Sequence, residues 1–242
     1  MTRNVLFVAY GAGHVRTLLP VIKAIRSNPK TSKDLNPILL ALTTARHDAA
    51  QAGVPAIGFA DLVNPETDTK ALAFGRALVG PPADDPVVPD AESVAYMGLS
   101  YFDLVQEHGK QAAADLYAAK GRAAFLPIAT ARRALDDLDI DCVVSTNAPR
   151  AEHAFLAAAA QTGRKSLTIW SSLASHEIAW VGQPGFSTYV CVDGPYAAEQ
   201  LRKAGRPEHE IRTTGNPQFD PILWQTDPQD TKAFRTAHGW SD

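Results

Sequence analysis

The sequence predicts an α/β fold: a doubly wound, mostly parallel sheet with helices on both faces. Three observations carry this. Val5–Tyr10 is an unbroken apolar run, the pattern of a strand covered on both sides. That run passes through a glycine turn straight into a helical pattern, Val15, Leu18, Leu19, Ile22 and Ile25. Strand and helix patterns then alternate, as parallel strands joined by crossover helices require.

The elements follow in order. The first helix stops at Ser27-Asn28-Pro29. Pro37–Thr43 ("PILLALT") is a second strand, "ARHDAAQAG" a short helix stopped by Gly53, and "VPAIGFA" a third, short strand. Residues 61–89 are rich in proline toward their end and are expected to form a long surface loop. From Ala91 to Leu138 the pattern is helical and alanine-rich, with a break near Gly121; Tyr96, Tyr101, Phe102 and Tyr117 recur at roughly helical spacing and are expected to pack in the core. The alternation then resumes: "DCVVST" and "KSLTIWSS" are strands flanking the helix "PRAEHAFLAAAAQTG". After the loop "LASHEIAWVGQPGFS", "TYVCVD" is a strand, "GPYAAEQLRKAG" a helix, and "HEIRTTGNPQFDPI" a short strand running into a turn. A last helix is expected over Pro228–His238, with Thr226 or Asp227 as its N-cap and Gly239 as its stop.

Composition narrows the function. The chain has 242 residues, a net charge of −3 and two cysteines. That length buries a core without disulfides, and that charge gives no basic field for nucleic acid. Cys142 and Cys191 sit inside apolar strand runs and read as buried free thiols. The apolar N-terminal run is too short for a secretory signal, and no stretch reaches the ~18 apolar residues of a membrane span. A cytoplasmic protein is expected.

The glycine turn is the first candidate site. "GAGHVR" supplies Gly11 and Gly13 of a G-x-G-x-x-G fingerprint, but Arg16 stands where the third glycine belongs. The second strand also ends without a carboxylate for a ribose, so a nicotinamide cofactor is disfavoured, and no G-K-[ST] forms a P-loop. What remains is a turn at a helix N-terminus, where free N–H groups favour anionic or hydroxyl-rich ligands. Gly11 and Gly13 are expected to serve its backbone geometry and a ligand's close approach. His14 stands where the helix dipole disfavours a cation, which suits a general base. A plain hydrogen-bonding role at the helix start is the alternative reading.

Two further clusters fall at strand ends. Asn147, Arg150, Glu152 and His153 lie where a strand passes into a helix. Capping by Asn147 or Thr146, Pro149 in the first turn and a favourable Glu152 dipole term account for most of that cluster. Arg150 is a cation in a first turn, so a ligand phosphate or carboxylate is its candidate partner. "SSLASHE" (171–177) brings Ser172, His176 and Glu177 to the sheet edge; without G-x-S-x-G a hydrolase triad is disfavoured, and an acceptor-binding or base role competes with a plain polar loop. No H-E-x-x-H, H-x-x-x-H or C-x-x-C occurs, so no metal is called; His47, His108, His209 and His238 read as surface residues.

"GAGHVRTLLPVIKAI" resembles the opening of GT-B glycosyltransferases, and Ile211–Ile222 ("IRTTGNPQFDPI") resembles the "V-T-G-N-P-x-x-D" signature shared by non-hydrolysing UDP-N-acetylglucosamine 2-epimerases and several GT-B transferases of cell-envelope sugars. The segments 138–169 and 189–217 resemble strands and helices of the same group, in the same order. The resemblance implies a Rossmann-like, acceptor-side domain over 1–224 and a linker helix over 225–242 leading to a second domain that holds a nucleotide-sugar donor. It implies Ile222–Trp224 packed on the first domain and no cofactor. The implied acceptor is a glycan or a lipid-linked molecule, the latter with peripheral membrane association. By this reading the chain alone is inactive, His14 or Glu177 is the base, and Gly11, Gly13, Arg16, Asn147, Arg150, Ser172, His176 and Asn216 bind substrate. The sequence departs from the epimerases at G-T-R-P-E, here G-A-G-H-V, and at H-x-E-A-G-L-R, here "WSSLASHE". Epimerase chemistry and a non-catalytic binding module are the alternatives.

Overall fold

The computed structural model describes residues 2–81, 88–170, 176–220 and 228–240, apart from the side chains of 228–230. Six parallel strands form one sheet: β1 (Arg3–Ala9), β2 (Leu35–Ala41), β3 (Ile140–Ser145), β4 (Lys165–Trp170), β5 (Tyr189–Val192) and β6 (Ile211–Thr213), in the order β2-β1-β3-β4-β5-β6. The chain moves outward from β1 to β2, then returns to lay β3 on the other side of β1. That reversal opens a crevice at the carboxyl ends of β1 and β3, where open parallel sheets receive ligands. The third strand expected at "VPAIGFA" is reduced to a single bridge, Leu40 with Ile57, held by two backbone bonds of 2.9 Å. Gly58 and the 3-10 turn Phe59–Leu62 end it there, because the buried Glu92 carboxylate takes the Phe59 and Ala60 amides at 2.7 and 2.9 Å.

The unbroken apolar strands serve two cores. Leu6 and Val8 of β1 face one hydrophobic cluster, and Val5, Phe7 and Ala9 face the other. The second cluster is closed by α1 (Ala12–Ser27), through Val15, Leu18 and Ile22, and by α2 (Ala45–Gln51), through Ala45 and Ala49. The first is closed by α4 (Asp90–His108), α6 (Ile128–Asp137), α7 (Ala151–Gln161) and α9 (Pro195–Lys203), with α3 (Thr69–Val79) and α5 (Lys110–Lys120) outside them. Tyr96 and Tyr101 are buried there within a chain of aromatic contacts that includes Tyr117, Phe59 and Phe125.

Several expectations are corrected. Residues 61–89 are not one long loop, since α3 occupies the middle of the span. Its partner is α4: a Cβ on Gly75 would lie 2.1 Å from the Val94 carbonyl oxygen, and one on Gly98 2.2 Å from that of Ala71. Glycine therefore lets two helix backbones touch, a signal that propensity reads as loop. The helical span 91–138 breaks at Gly109 as well as Gly121, both in the left-handed region. Cys142 and Cys191 are free but half-buried rather than buried, and burial raises both thiols.

Beyond β6, α10 (Pro228–Ala237) forms where expected, and Gly239 ends it, with the Trp240 amide reaching back to the Arg235 carbonyl at 2.9 Å. Residues 231–240 are all exposed. Ile222–Trp224, Thr226 and Asp227 lie outside the described residues. Among the described residues no helix is long and apolar enough to cross a membrane. The short helix α8 (Ile178–Val181) is pinned by Arg206, whose buried guanidinium donates to the Val181, Gln183 and Ser187 carbonyls and pairs with Glu210 at 2.8 Å.

Two predictions follow from this packing. Gly98→Ala forces a methyl against the Ala71 backbone and is expected to cost about 1–3 kcal/mol of unfolding free energy in urea melts. The second concerns Asp68, which Arg133 clamps with two bonds of 2.7 Å. Burial alone would raise the Asp68 carboxyl, but the Arg133 and Asn64 hydrogen bonds outweigh it and hold it below the usual value. The folded state thus favours the carboxylate: this contribution is full above the unfolded-state value and is lost as pH falls through the folded one. The stability gap between wild type and Asp68→Asn should narrow as pH is lowered into that range; a gap that stays constant with pH would exclude the assignment.

Candidate functional site

Two strand-to-helix passages meet at the crevice. β1 ends at Ala9 and α1 begins at Ala12; β3 ends at Ser145 and α7 begins at Ala151. Val8 pairs with Ser145, so the two loops emerge side by side. Glu152, in the first turn of α7 and fully buried, turns its carboxylate back between them. One oxygen accepts the Tyr10 amide at 2.9 Å; the other accepts the Ala148 amide at 3.1 Å and the Thr146 hydroxyl at 2.6 Å. His14, in the first turn of α1, hydrogen-bonds Thr146 Oγ1 through Nδ1, which also lies 3.3 Å from Glu152 Oε1.

These bonds orient the ring. A carboxylate only accepts, so the Thr146 hydroxyl gives its single proton to Glu152. The Thr146 oxygen can then only accept from His14, which places a proton on Nδ1 and leaves Nε2 outside this chain of bonds. The His14 side chain is 31% exposed, so the ring is anchored at its buried end and still open to the crevice. The result is a histidine whose ring is oriented from its buried end, with the Glu152 carboxylate behind it.

Glu152 also settles the electrostatics of the crevice. The N-termini of α1 and α7 both point into it, and such ends attract anions. Here the protein's own carboxylate takes the Tyr10 and Ala148 amides, donors that a phosphate would otherwise find.

The remaining sequence candidates fall as follows. Gly11 is extended, at φ −150° and ψ 177°, and Gly13 lies in the first turn of α1 with open space where a Cβ would go. Neither sits at a left-handed position, so the expected backbone requirement is overturned at both. Thr43 holds the strained conformation instead, at φ 51°, and its hydroxyl bonds the Tyr10 carbonyl. Arg16 points to α2, where it pairs with Asp48 at 2.6 Å. Asn147 and Thr146 do not cap α7: the N-cap is Arg150 with no side-chain bond, and Pro149 precedes it. The Arg150 guanidinium lies over the Tyr10 ring, 4.4 Å from its centroid. The Asn147 carbonyl accepts from Trp180 Nε1 at 2.9 Å, and Trp180 meets the His176 ring edge-on at 5.5 Å, which ties α8 to the crevice. Glu177 is the N-cap of α8 and half-exposed; Ser172 lies outside the described residues. Asn216 accepts the Gln218 amide at 3.0 Å, shaping a turn that rests against α1. Two members of the site were thus read as helix-capping or dipole residues, Thr146 and Glu152. The signal available was their spacing: a hydroxyl at the strand end and a carboxylate in the first helical turn.

No family model and no curated protein matches the sequence. Solved structures match in fold. The S. aureus MnaA–UDP co-structure aligns with a TM-score of 0.56 and 11% identity, over 94% of this chain and 48% of that one. UDP-GlcNAc 2-epimerase from Neisseria meningitidis bound to UDP-GlcNAc aligns at 0.52 and 13%, over 97% and 53%. The Methanocaldococcus jannaschii UDP-GlcNAc 2-epimerase aligns at 0.51 and 11%, over 98% and 53%. The likeness is one of fold, and the chain spans about half the length of the structures it matches. In fold the chain is similar to about half of each of these structures.

If Glu152 organises the crevice, removing it should be felt in stability. Glu152→Ala leaves two amides and a hydroxyl unpaired, and unfolding free energy is expected to fall by at least about 3 kcal/mol at neutral pH. A chemical-denaturation midpoint within error of wild type would remove Glu152 from this role.

Proposed function

We propose that the chain is the N-terminal, acceptor-side half of a GT-B glycosyltransferase, in which a second half holds a nucleotide-sugar donor. One observation carries the reading: the His14–Thr146–Glu152 chain of bonds, which holds the imidazole at the topological switch point of the sheet. An acceptor hydroxyl placed there gives its proton to Nε2 as its oxygen bonds the anomeric carbon. The donor's nucleotide leaves with the electron pair of the broken glycosidic bond. The imidazolium keeps its Nδ1–H on Thr146, and Glu152 stabilises the new charge. Arg150, Asn147, His176 and Glu177 lie on loops around the same crevice and are the groups we assign to acceptor binding.

The fold comparisons support a second reading equally, because two of the neighbours described above are named as UDP-GlcNAc 2-epimerases. Incubating the protein that contains this chain with UDP-GlcNAc separates the two. An epimerase yields a second UDP-sugar without any acceptor; a transferase needs one. In either case His14→Ala is expected to lower kcat by about 10²–10⁴-fold while the melting temperature stays near wild type. Unchanged kcat in a folded His14→Ala protein sinks the base assignment.

A further inference from the structure

The turn that carries His14 is held from a second side. Three consecutive residues after β2 reach across to it. The Leu42 amide donates to the Ala9 carbonyl at 2.9 Å, the Thr43 hydroxyl donates to the Tyr10 carbonyl, and the Thr44 hydroxyl accepts the Ala12 amide at 3.2 Å. The last bond stands in for a cap. Gly11, the N-cap of α1, has no side chain to offer the first amides of the helix, and Thr44 supplies an oxygen from 32 residues away. His14 stands two residues further along that same first turn.

This reach comes with an unusual backbone. Two non-glycine residues among the described ones have positive φ, Thr43 at 51° and Asp139 at 50°. Asp tolerates the left-handed region, whereas a β-branched residue there is a steric outlier. Asp139 precedes β3, at the amino end of the sheet; Thr43 follows β2, at the end where the crevice opens. A glycine at position 43 would make the same turn without strain. The threonine thus holds the turn at a steric cost, and what distinguishes it from glycine is the bond to Tyr10. Tyr10 also gives its amide to Glu152, so this residue is gripped from the β2 side and from the β3 side at once.

We infer that Thr43 and Thr44 are positioning residues for His14: their hydroxyls fix the turn from Tyr10 to Ala12 so that the imidazole meets Thr146, and the strain at Thr43 is part of that hold. The inference deepens the function proposed above, on which its kinetic part rests; its structural part does not depend on that function.

Thr43→Gly relieves the strain and removes the hydroxyl. A merely structural role for Thr43 implies a loss of stability with an unmoved imidazole. Positioning implies the reverse. The melting temperature should stay within a few degrees of wild type, and the His14 ring signals, identified in NMR spectra by their loss in His14→Ala, should be displaced beyond their line width. His209, on the 3-10 turn before β6 and so at the amino end of the sheet, should keep its signals. In the UDP-GlcNAc assay above, kcat should fall by about 10–100-fold with KM within about twofold of wild type. Thr43→Ser, which keeps the hydroxyl, should return the His14 signals and most of kcat. His14 signals that stay in place in a folded Thr43→Gly protein overturn the inference, as does Thr43→Ser displacing them as far as glycine does. If Thr43→Gly does not fold, Thr44→Val, at an exposed position, decides in the same spectra: displaced His14 signals support positioning and unmoved ones overturn it. The two readings fail separately, since an unchanged kcat in His14→Ala removes the base, whereas unmoved His14 signals in Thr43→Gly remove the positioning.

Discussion

The buried carboxylate of Glu152 is the contact on which the functional end of this molecule depends. It joins two segments that are 142 residues apart in sequence, Tyr10 and the first turn of α7, by direct hydrogen bonds from a fully buried position. An isolated charge could not be buried there. What makes it affordable is that the N-termini of α1 and α7 converge on it, and that two amides and a hydroxyl satisfy its oxygens. Remove the carboxylate and both helix starts lose their common anion, the Thr146 hydroxyl loses its acceptor, and the orientation of His14 is no longer defined.

The same end of the fold departs from the dinucleotide fingerprint of its first turn. The third fingerprint glycine is Arg16, which pairs with Asp48 on α2 and so fastens two helices on one face of the sheet. The Tyr10 and Ala148 amides are both taken by Glu152. What the crevice offers is the His14 imidazole, anchored at Nδ1, and the loops around it.

The fold was largely legible because its strongest signals are local. Unbroken apolar runs gave five of the strands, and the spacing of Val15, Leu18, Leu19 and Ile22 gave α1. Where sequence reasoning went astray, a contact distant in sequence had decided the outcome. Proline and glycine between 61 and 89 read as loop, yet Gly75 is helical because the α4 backbone packs directly against it. "VPAIGFA" reads as strand, yet Glu92 captures the amides of Phe59 and Ala60 that would have continued it. His14 was legible from its place on the glycine turn. Thr146 and Glu152 were visible only as helix-start residues, because a relay is a property of the β1–β3 pairing and no short window contains both strands.

Tyr10 shows how closely the carboxyl edge is tied together. Its amide is held by Glu152 and its carbonyl by Thr43, which accepts a left-handed conformation to reach it. Its ring lies under the Arg150 guanidinium and against the edge of Tyr96. A backbone bound at both its donor and its acceptor cannot drift, so the loop that carries His14 is fixed before any ligand arrives. Preorganisation of this kind lets a site stabilise charge without reorganising at the moment of reaction.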